Sequence, residues 1–266
     1  MTAPASSLVV SQADGVTTLT LNRPELRNAL DPALLEELEA AVIRLYTDEQ
    51  TRVVVLRGAG EGFMAGGDIR HFDTVVKAGS PAPEFAVMLS RINHIVQILR
   101  EIRQPVVAAV HGACAGFGIS LALAADLIIA ADTAKFTLAY DRLGLSPDGG
   151  ASWHLVRTLG LKRAAELVLL GDTIAANTAE RWGLVNRVVP EVELDATVQK
   201  IVARLKAGAP EAQANARRLL NFAGDLALGT QLEAEAESFV HLTVGADFAE
   251  GIAAFLGKRP PGFTGK

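Results

Sequence analysis

The chain is poor in the residue types that usually mark a site. It has a single cysteine, Cys114, in 266 residues, which excludes an internal disulfide and a thiolate metal centre. Its five histidines, at 71, 94, 111, 154 and 241, show no H-E-x-x-H or other ligand spacing, so no metal site is expected. Charged residues make up only 21%, the formal net charge is −5, and no basic cluster occurs. Nucleic acid is therefore not expected as a partner. No apolar run reaches the roughly 18 uninterrupted residues of a membrane span, and Met1–Ser7 has no basic region ahead of an apolar one. No membrane anchor and no secretory leader are expected, and the protein is expected to be cytoplasmic. Nucleotide-binding fingerprints are missing as well. Glycines at 58, 60 and 62 do not make G-x-G-x-x-G, there is no G-x-x-x-x-G-K-[ST] loop, and Ser152 lacks the second glycine of a G-x-S-x-G elbow.

What is present is a composition that is 50% hydrophobic, dominated by Ala, Val and Leu, which fits a compact α/β enzyme or an oligomer with apolar interfaces. Leu8-Val9-Val10 and Val16 to Leu21 read as strands joined by a turn at Asp14-Gly15. Asp31 and Pro32 open a helix with apolar residues at 34, 35, 38, 42 and 45. Val53 to Leu56, Val106 to Val110 and Leu127 to Ala130 are short continuous apolar runs of the kind found in buried parallel strands. The spacing predicts helices over 84–103, after a break at Gly79-Ser80-Pro81-Ala82-Pro83, over 116–125, and at about 150–158. Beyond Glu191 the pattern is wholly helical, roughly 193–207, 210–223, 230–243 and 247–256. We expect a core over 1–192 and a helical C-terminal region over 193–266.

Two strand–Gly loop–helix units recur within this core, at 53–76 and 106–126. Each ends in a Gly-rich turn whose backbone N–H groups are left unpaired at a helix start, next to the positive end of the helix dipole. Two such N–H groups converging on one point can hold a phosphate or an oxyanion. Glycines that merely permit tight turns explain the same pattern, and the residues alone leave both readings open.

The motifs are more specific than the turns. Leu21-Asn22-Arg23-Pro24 with Asn28-Ala29-Leu30, Phe63-Met64-Ala65-Gly66-Gly67-Asp68-Ile69, and Pro105 through Gly112 are followed by Ala115-Gly116-Phe117-Gly118 with Leu121 through Asp126. Gly171-Asp172, Ala179 to Val185, and Glu250 through Pro260 complete the series. In this order they resemble the crotonase (enoyl-CoA hydratase/isomerase) superfamily over nearly the whole chain. The resemblance implies an α/β spiral of repeated ββα units, a C-terminal helical trimerisation region, and a homotrimer or dimer of trimers. It also implies coenzyme A thioester substrates with no other bound cofactor. It places the oxyanion donors on the N–H groups of Gly67 and Phe117, and the CoA-binding edge at Leu26, Arg27, Ala29, Ala65, Asp68 and Ile69. The resemblance further implies that Phe255 and Lys258 complete that edge from a neighbouring subunit.

The departures from the family pattern bear on the reaction. Hydratases of the family carry two glutamates, and here those positions hold Ser120 and Tyr140, so activation of water by two carboxylates is not expected. Tyr140 is counted with the substrate-binding residues. Asp141 follows it, but one residue turns a helical side chain by about 100°, so Asp141 is expected at the surface. Asp148, eight residues after Tyr140, matches the single acid of the isomerase branches that shift a double bond or rearrange an epoxide ring. It also matches the nucleophile of the aryl-CoA dehalogenase branch, whose histidine position falls here at Asn93. Pro147-Asp148-Gly149-Gly150 is equally a good helix-capping sequence. The expectation is an acyl-CoA isomerase with Asp148 as its one acid/base, in an apolar setting drawn from Phe136, Tyr140, Leu143 or Trp153. Its rivals are an enoyl-CoA hydratase and a non-catalytic acyl-CoA-binding trimer.

Overall fold

The computed structural model describes residues 6–265. It opens with the expected hairpin of β1 (Leu8–Ala13) and β2 (Val16–Leu21). Asp14 and Gly15, at φ of 48° and 73°, form its two-residue turn, a geometry that Asp-Gly tolerates well. Helix α1 (Pro32–Tyr46) starts where Asp31 accepts a hydrogen bond from the Leu34 N–H at 2.8 Å. Its buried face of Leu34, Leu35, Leu38, Ala41, Val42 and Leu45 follows helical spacing.

The chain then repeats one unit. β3 (Val53–Gly58) turns into the short β4 (Gly62–Met64) and α2 (Ile69–Lys77), followed by the long α3 (Pro81–Glu101). β5 (Val106–Val110), β6 (Ala113–Ala115) and α4 (Phe117–Leu123) repeat the order. β7 (Leu127–Ala131), β8 (Lys135–Thr137) and α5 (Ala151–Leu170) form the next turn, and β9 (Thr173–Ala175), α6 (Ala176–Trp182) and β10 (Arg187–Val189) close the series. The longer strands make a sheet of order β1-β2-β3-β5-β7-β10, parallel from β2 onward. The three-residue strands stack as a second sheet, β4-β6-β8-β9, parallel except for its last pair. Each repeat thus advances both sheets by one strand, which makes a spiral.

Alternation along the central strands divides the core in two. Val54, Leu56, Val106, Ala108 and Val110 face the main core with α1 and α3. Val53, Val55, Val107, Ala109, Ile129 and Ala131 face the other way and are covered by Leu194, Val198 and Val202 of α7 (Leu194–Lys206). Burying those three side chains stabilises the docking by on the order of 5 kcal/mol. The expected boundary at 192/193 falls at the start of this sheet-covering helix. Helices α8 (Pro210–Phe222), α9 (Leu228–Leu242) and α10 (Ala246–Leu256) follow. Arg217 of α8, buried, pairs with Asp126 at 2.6 Å and donates to the carbonyls of Leu99 and Ile102, which anchors α8 to the end of α3.

Several local expectations change. Helix α3 begins at Pro81 instead of after the Gly79–Pro83 break, because prolines in a first turn forfeit no intrahelical hydrogen bond. Helix α4 is shorter than 116–125. Helix α5 extends past 158 to Leu170, bending at Gly160, where φ 74° and ψ 160° are not helical. The four short strands of the second sheet and β10 had no periodicity long enough to announce them.

Candidate active site

The two Gly-rich turns sit side by side because β4 and β6 pair in parallel, with Gly62 opposite Ala113 and Met64 opposite Cys114. Each turn is made by a glycine at positive φ, Gly66 at 92° and Gly116 at 51°, immediately before Gly67 and Phe117. A Cβ on Gly116 would stand 3.5 Å from Gly66 Cα, and one on Gly118 would stand 2.7 Å from the Met64 carbonyl oxygen. The turns are therefore in backbone contact. Neighbouring donors are satisfied: Gly116 N–H donates to Thr137 O at 3.0 Å and Asp68 N–H to Leu30 O at 2.9 Å. Among the described residues, the N–H groups of Gly67 and Phe117 have no protein acceptor.

The loop after β8 brings Asp148 to the same place. Tyr140 Oη–H donates to Asp148 Oδ1 at 2.8 Å, and Ser120 Oγ–H, from α4, donates to the Asp148 carbonyl at 2.9 Å. Gly149, at φ 53°, lies so close to α4 that a Cβ would meet the Phe117 ring at 2.9 Å and Ser120 Cβ at 3.0 Å. The Phe117 ring, 2% exposed, is thus spent on packing against this loop. Asp148 does not cap α5. Gly150 holds the cap position, and only the Asp148 carbonyl receives the Ala151 N–H. Burial pushes the Asp148 carboxyl above its ordinary value, opposed by the Tyr140 hydrogen bond. Burial, then the adjacent Asp148 charge, pushes the Tyr140 hydroxyl up, so Tyr140 is a hydrogen-bond donor that keeps its proton. Phe136 and Tyr140 are buried, whereas Leu143 and Trp153, also expected around Asp148, are 49% and 36% exposed. Asp141 lies at the surface in a single 3-10 turn. Cys114 is fully buried and its thiol is pushed up by burial, which leaves it inert.

The expected CoA-binding edge is contiguous in its N-terminal part. Ala65 N–H donates to Arg27 O at 2.9 Å, Ala29 N–H to Leu26 O at 3.1 Å, and Leu30 N–H to Gly66 O at 2.7 Å. Arg27 and Ile69 are exposed along it. The Asp68 side chain is committed elsewhere, capping α2 through the Arg70 N–H at 3.0 Å and pairing with Arg23 at 3.1 Å. Burial works to raise the Asp68 carboxyl, but the Arg23 hydrogen bond, the Arg70 N–H and the Arg23 charge outweigh it and hold the carboxyl low. Phe255, 84% exposed, and Lys258, also exposed, lie at the end of α10, where no hydrogen bond or ion pair among the described residues joins them to this edge.

Two residues escaped the sequence reading. Asn28, fully buried at φ 57°, accepts from the Arg23 N–H and donates to the carbonyls of Ala59, Gly62 and Phe63 at 2.9, 2.9 and 3.2 Å. It ties the Leu26–Ala29 loop to β4. In the sequence Ser120 stands out only as a missing carboxylate, whereas in the structure its hydroxyl holds the Asp148 loop. The signal for the first is its place in the motif Asn28-Ala29-Leu30, which carries no hint of its partners.

A spiral of ββα units with two abutting Gly-rich turns and Asp148 held beside them by Tyr140 and Ser120 defines an α/β enzyme core. The comparisons specify which. Residues 11–266 match the family described as Enoyl-CoA hydratase/isomerase, and the chain belongs to that family. It is 39% identical to a 1,2-epoxyphenylacetyl-CoA isomerase of Escherichia coli, covering 95% of this chain and 96% of the relative. It is 38% identical to a probable enoyl-CoA hydratase of Rhodobacter capsulatus, covering 96% of each. The crystal structure of an enoyl-CoA hydratase from Bacillus anthracis superposes with a TM-score of 0.92 at 33% identity, over 98% of this chain and all of that one. The crotonase spiral expected from the motifs is the fold observed.

Proposed function

We propose that the protein is an acyl-CoA isomerase that moves a double bond, or rearranges a ring or epoxide, with Asp148 as its single acid/base. The thioester oxygen takes the place between the N–H groups of Gly67 and Phe117. As a proton leaves the carbon chain, negative charge gathers on that oxygen, and donors already in position stabilise it without reorganising. In other enzymes one such donor is worth roughly 3–4 kcal/mol. Asp148 removes the proton and returns it at another carbon. With Oδ1 occupied by Tyr140, Oδ2 faces the substrate, and burial makes the carboxylate a stronger base than an exposed one. The CoA portion runs along Leu26, Arg27, Ala29, Ala65, Asp68 and Ile69, and Phe255 and Lys258 come from a neighbouring copy in a homotrimer or a dimer of trimers.

The observation that carries this reading is that no second carboxyl stands beside Asp148 at positions 120 and 140, while the Asp68 carboxyl is committed to Arg23 and the start of α2. Around the two turns, Ser120 and Tyr140 are hydrogen-bond donors to Asp148, and neither is an acid that activates water. Asp148→Asn keeps the shape and the Tyr140 hydrogen bond. It is expected to lower 3-enoyl-CoA isomerisation by about 10²-fold or more, the usual contribution of a positioned acid/base, while saturated acyl-CoA still binds. Turnover within a few-fold of wild type would remove Asp148 from the reaction. The hydratase names among the relatives favour a second reading. Rapid hydration of crotonyl-CoA by the purified protein would establish it over isomerisation.

A further inference from the structure

The Gly149–Gly150 turn has a second face. It forms one wall of a cleft of about 920 Å³ whose other walls are α3, the start of α5 and α8. A Cβ on Gly150 would stand 3.4 Å from the His154 ring and 3.8 Å from Val96, so glycine keeps this end of the cleft open. Val96 and Trp153 give it an apolar lining, and Arg100 lies two helical turns beyond Asn93 along α3.

Most charges around the cleft are paired. Arg217 is bound to Asp126, Arg157 to Asp225 and Arg103 to Glu211. Glu101 and Arg218 also line the cleft without an ion pair among the described residues, but both are exposed to solvent, and Arg100 is different. Among the described residues no carboxylate lies within ion-pair distance of it, it is half-buried, and its guanidinium sits 5.6 Å from the centre of the Trp153 ring. A cation withdrawn from water without a counter-ion is unfavourable unless something pairs with it. The surroundings record that imbalance. Burial and the neighbouring Arg217 pull the Arg100 pKa down against the pull of Asp126. His154, lowered to about 4 by burial and then by Arg100 and Arg157, stays neutral and adds no charge of its own. The cleft therefore offers a half-buried guanidinium with no counter-ion beside the Trp153 ring, a group suited to a carboxylate.

We propose that this cleft receives the far end of the acyl group and that Arg100 binds a carboxylate there, which makes CoA thioesters of dicarboxylic acyl chains the preferred substrates. The proposal rests on the acyl-CoA reading above, and its test separates the two. Titration calorimetry compares adipoyl-CoA with hexanoyl-CoA, both saturated and unreactive, equal in length, and differing in a terminal carboxylate against a methyl. Wild-type protein is expected to bind adipoyl-CoA about tenfold more tightly or better, the worth of one charge-assisted pair. Arg100→Gln is expected to bring adipoyl-CoA down to the affinity of hexanoyl-CoA, and Arg100→Lys to retain part of the preference. Equal affinities in the wild type overturn the proposal whether or not the variants fold, and so does a preference that survives Arg100→Gln. If Arg100→Gln instead lowers the oligomeric mass without touching the preference, the arginine belongs to a subunit interface and the proposal falls. Binding of hexanoyl-CoA without preference overturns this inference alone. Binding of neither thioester overturns the acyl-CoA reading with it.

Discussion

Tyr140 and Asp148 meet at 2.8 Å, and the pair sets a pH dependence whose sign follows from its parts. Burial raises the Asp148 carboxyl, and the Tyr140 hydrogen bond, which favours the charged form, works against burial. In the proposed isomerase Asp148 serves as a base only when ionised, so kcat/KM is expected to fall as pH drops through its raised pKa. Tyr140→Phe removes the opposing hydrogen bond and leaves burial in place. The acidic limb of the kcat/KM profile is then expected to move to higher pH, with a smaller loss at the plateau than Asp148→Asn causes. A limb that stays in place, or moves to lower pH, contradicts the coupling. At this scale the sequence is informative about residue type and weak about partners. The absence of glutamate at 120 and 140 is plain in the chain. That Ser120 and Tyr140 instead hold Asp148 is not, because Ser120 comes from α4 and Tyr140 lies eight residues back along the irregular segment between β8 and α5, and a Pro-Asp-Gly-Gly run reads as a helix cap until the fold places Gly150 there.

The elements bring those residues together through close backbone approach. β4 and α4 touch at Gly118, where a Cβ would lie 2.7 Å from the Met64 carbonyl oxygen and 2.9 Å from Met64 Cβ. Neither neighbour can yield without moving the turn that carries Gly67. Gly118→Ala is therefore expected to cost about 1–3 kcal/mol by overpacking. It should also cut kcat by more than tenfold, since displacements near 1 Å at a reacting centre are that damaging. Gly229→Ala, at a helical position with nothing within 4 Å, serves as the control and should leave stability unchanged or raise it by up to about 1 kcal/mol, alanine being the better helix former. Denaturant unfolding and turnover of the two variants check the contrast, and parity between them would show that the turns tolerate separation. Long elements were legible because their buried faces repeat: the α1 face and the apolar runs of β3, β5 and β7 all stand where the pattern puts them. The second sheet was not, since strands of three residues show no period and are defined by their pairing with the next repeat.

At the scale of the whole molecule, the surface of the C-terminal helices is the feature one chain leaves unexplained. Phe239, Val240, Val244, Phe255 and Leu256 are between 65% and 84% exposed, and a cavity of about 500 Å³ lined by Phe239, Leu242, Phe248, Ile252 and Phe263 opens among them. Among the described residues no single helix is long and apolar enough to cross a membrane, and α9 and α10, apolar together, bend by 80° between them. Contiguous apolar surface on this scale marks an interaction site, and the proposed occupant is another copy of the chain. A core helix, α7, seals the sheet, whereas α9 and α10 turn their large side chains outward, so charge placed there should weaken assembly and spare the fold. Val240→Asp is expected to shift the mass seen by light scattering from a trimer or hexamer toward a monomer that keeps its helical content. If Lys258 and Phe255 complete the CoA edge from a neighbour, that monomer should also bind acyl-CoA at least about tenfold more weakly, the loss of a charged contact. Lys258→Ala should weaken binding while the oligomer stays intact. A wild-type monomer would remove the assembly from the proposal. A Val240→Asp monomer with undiminished affinity would place the whole CoA edge within one chain.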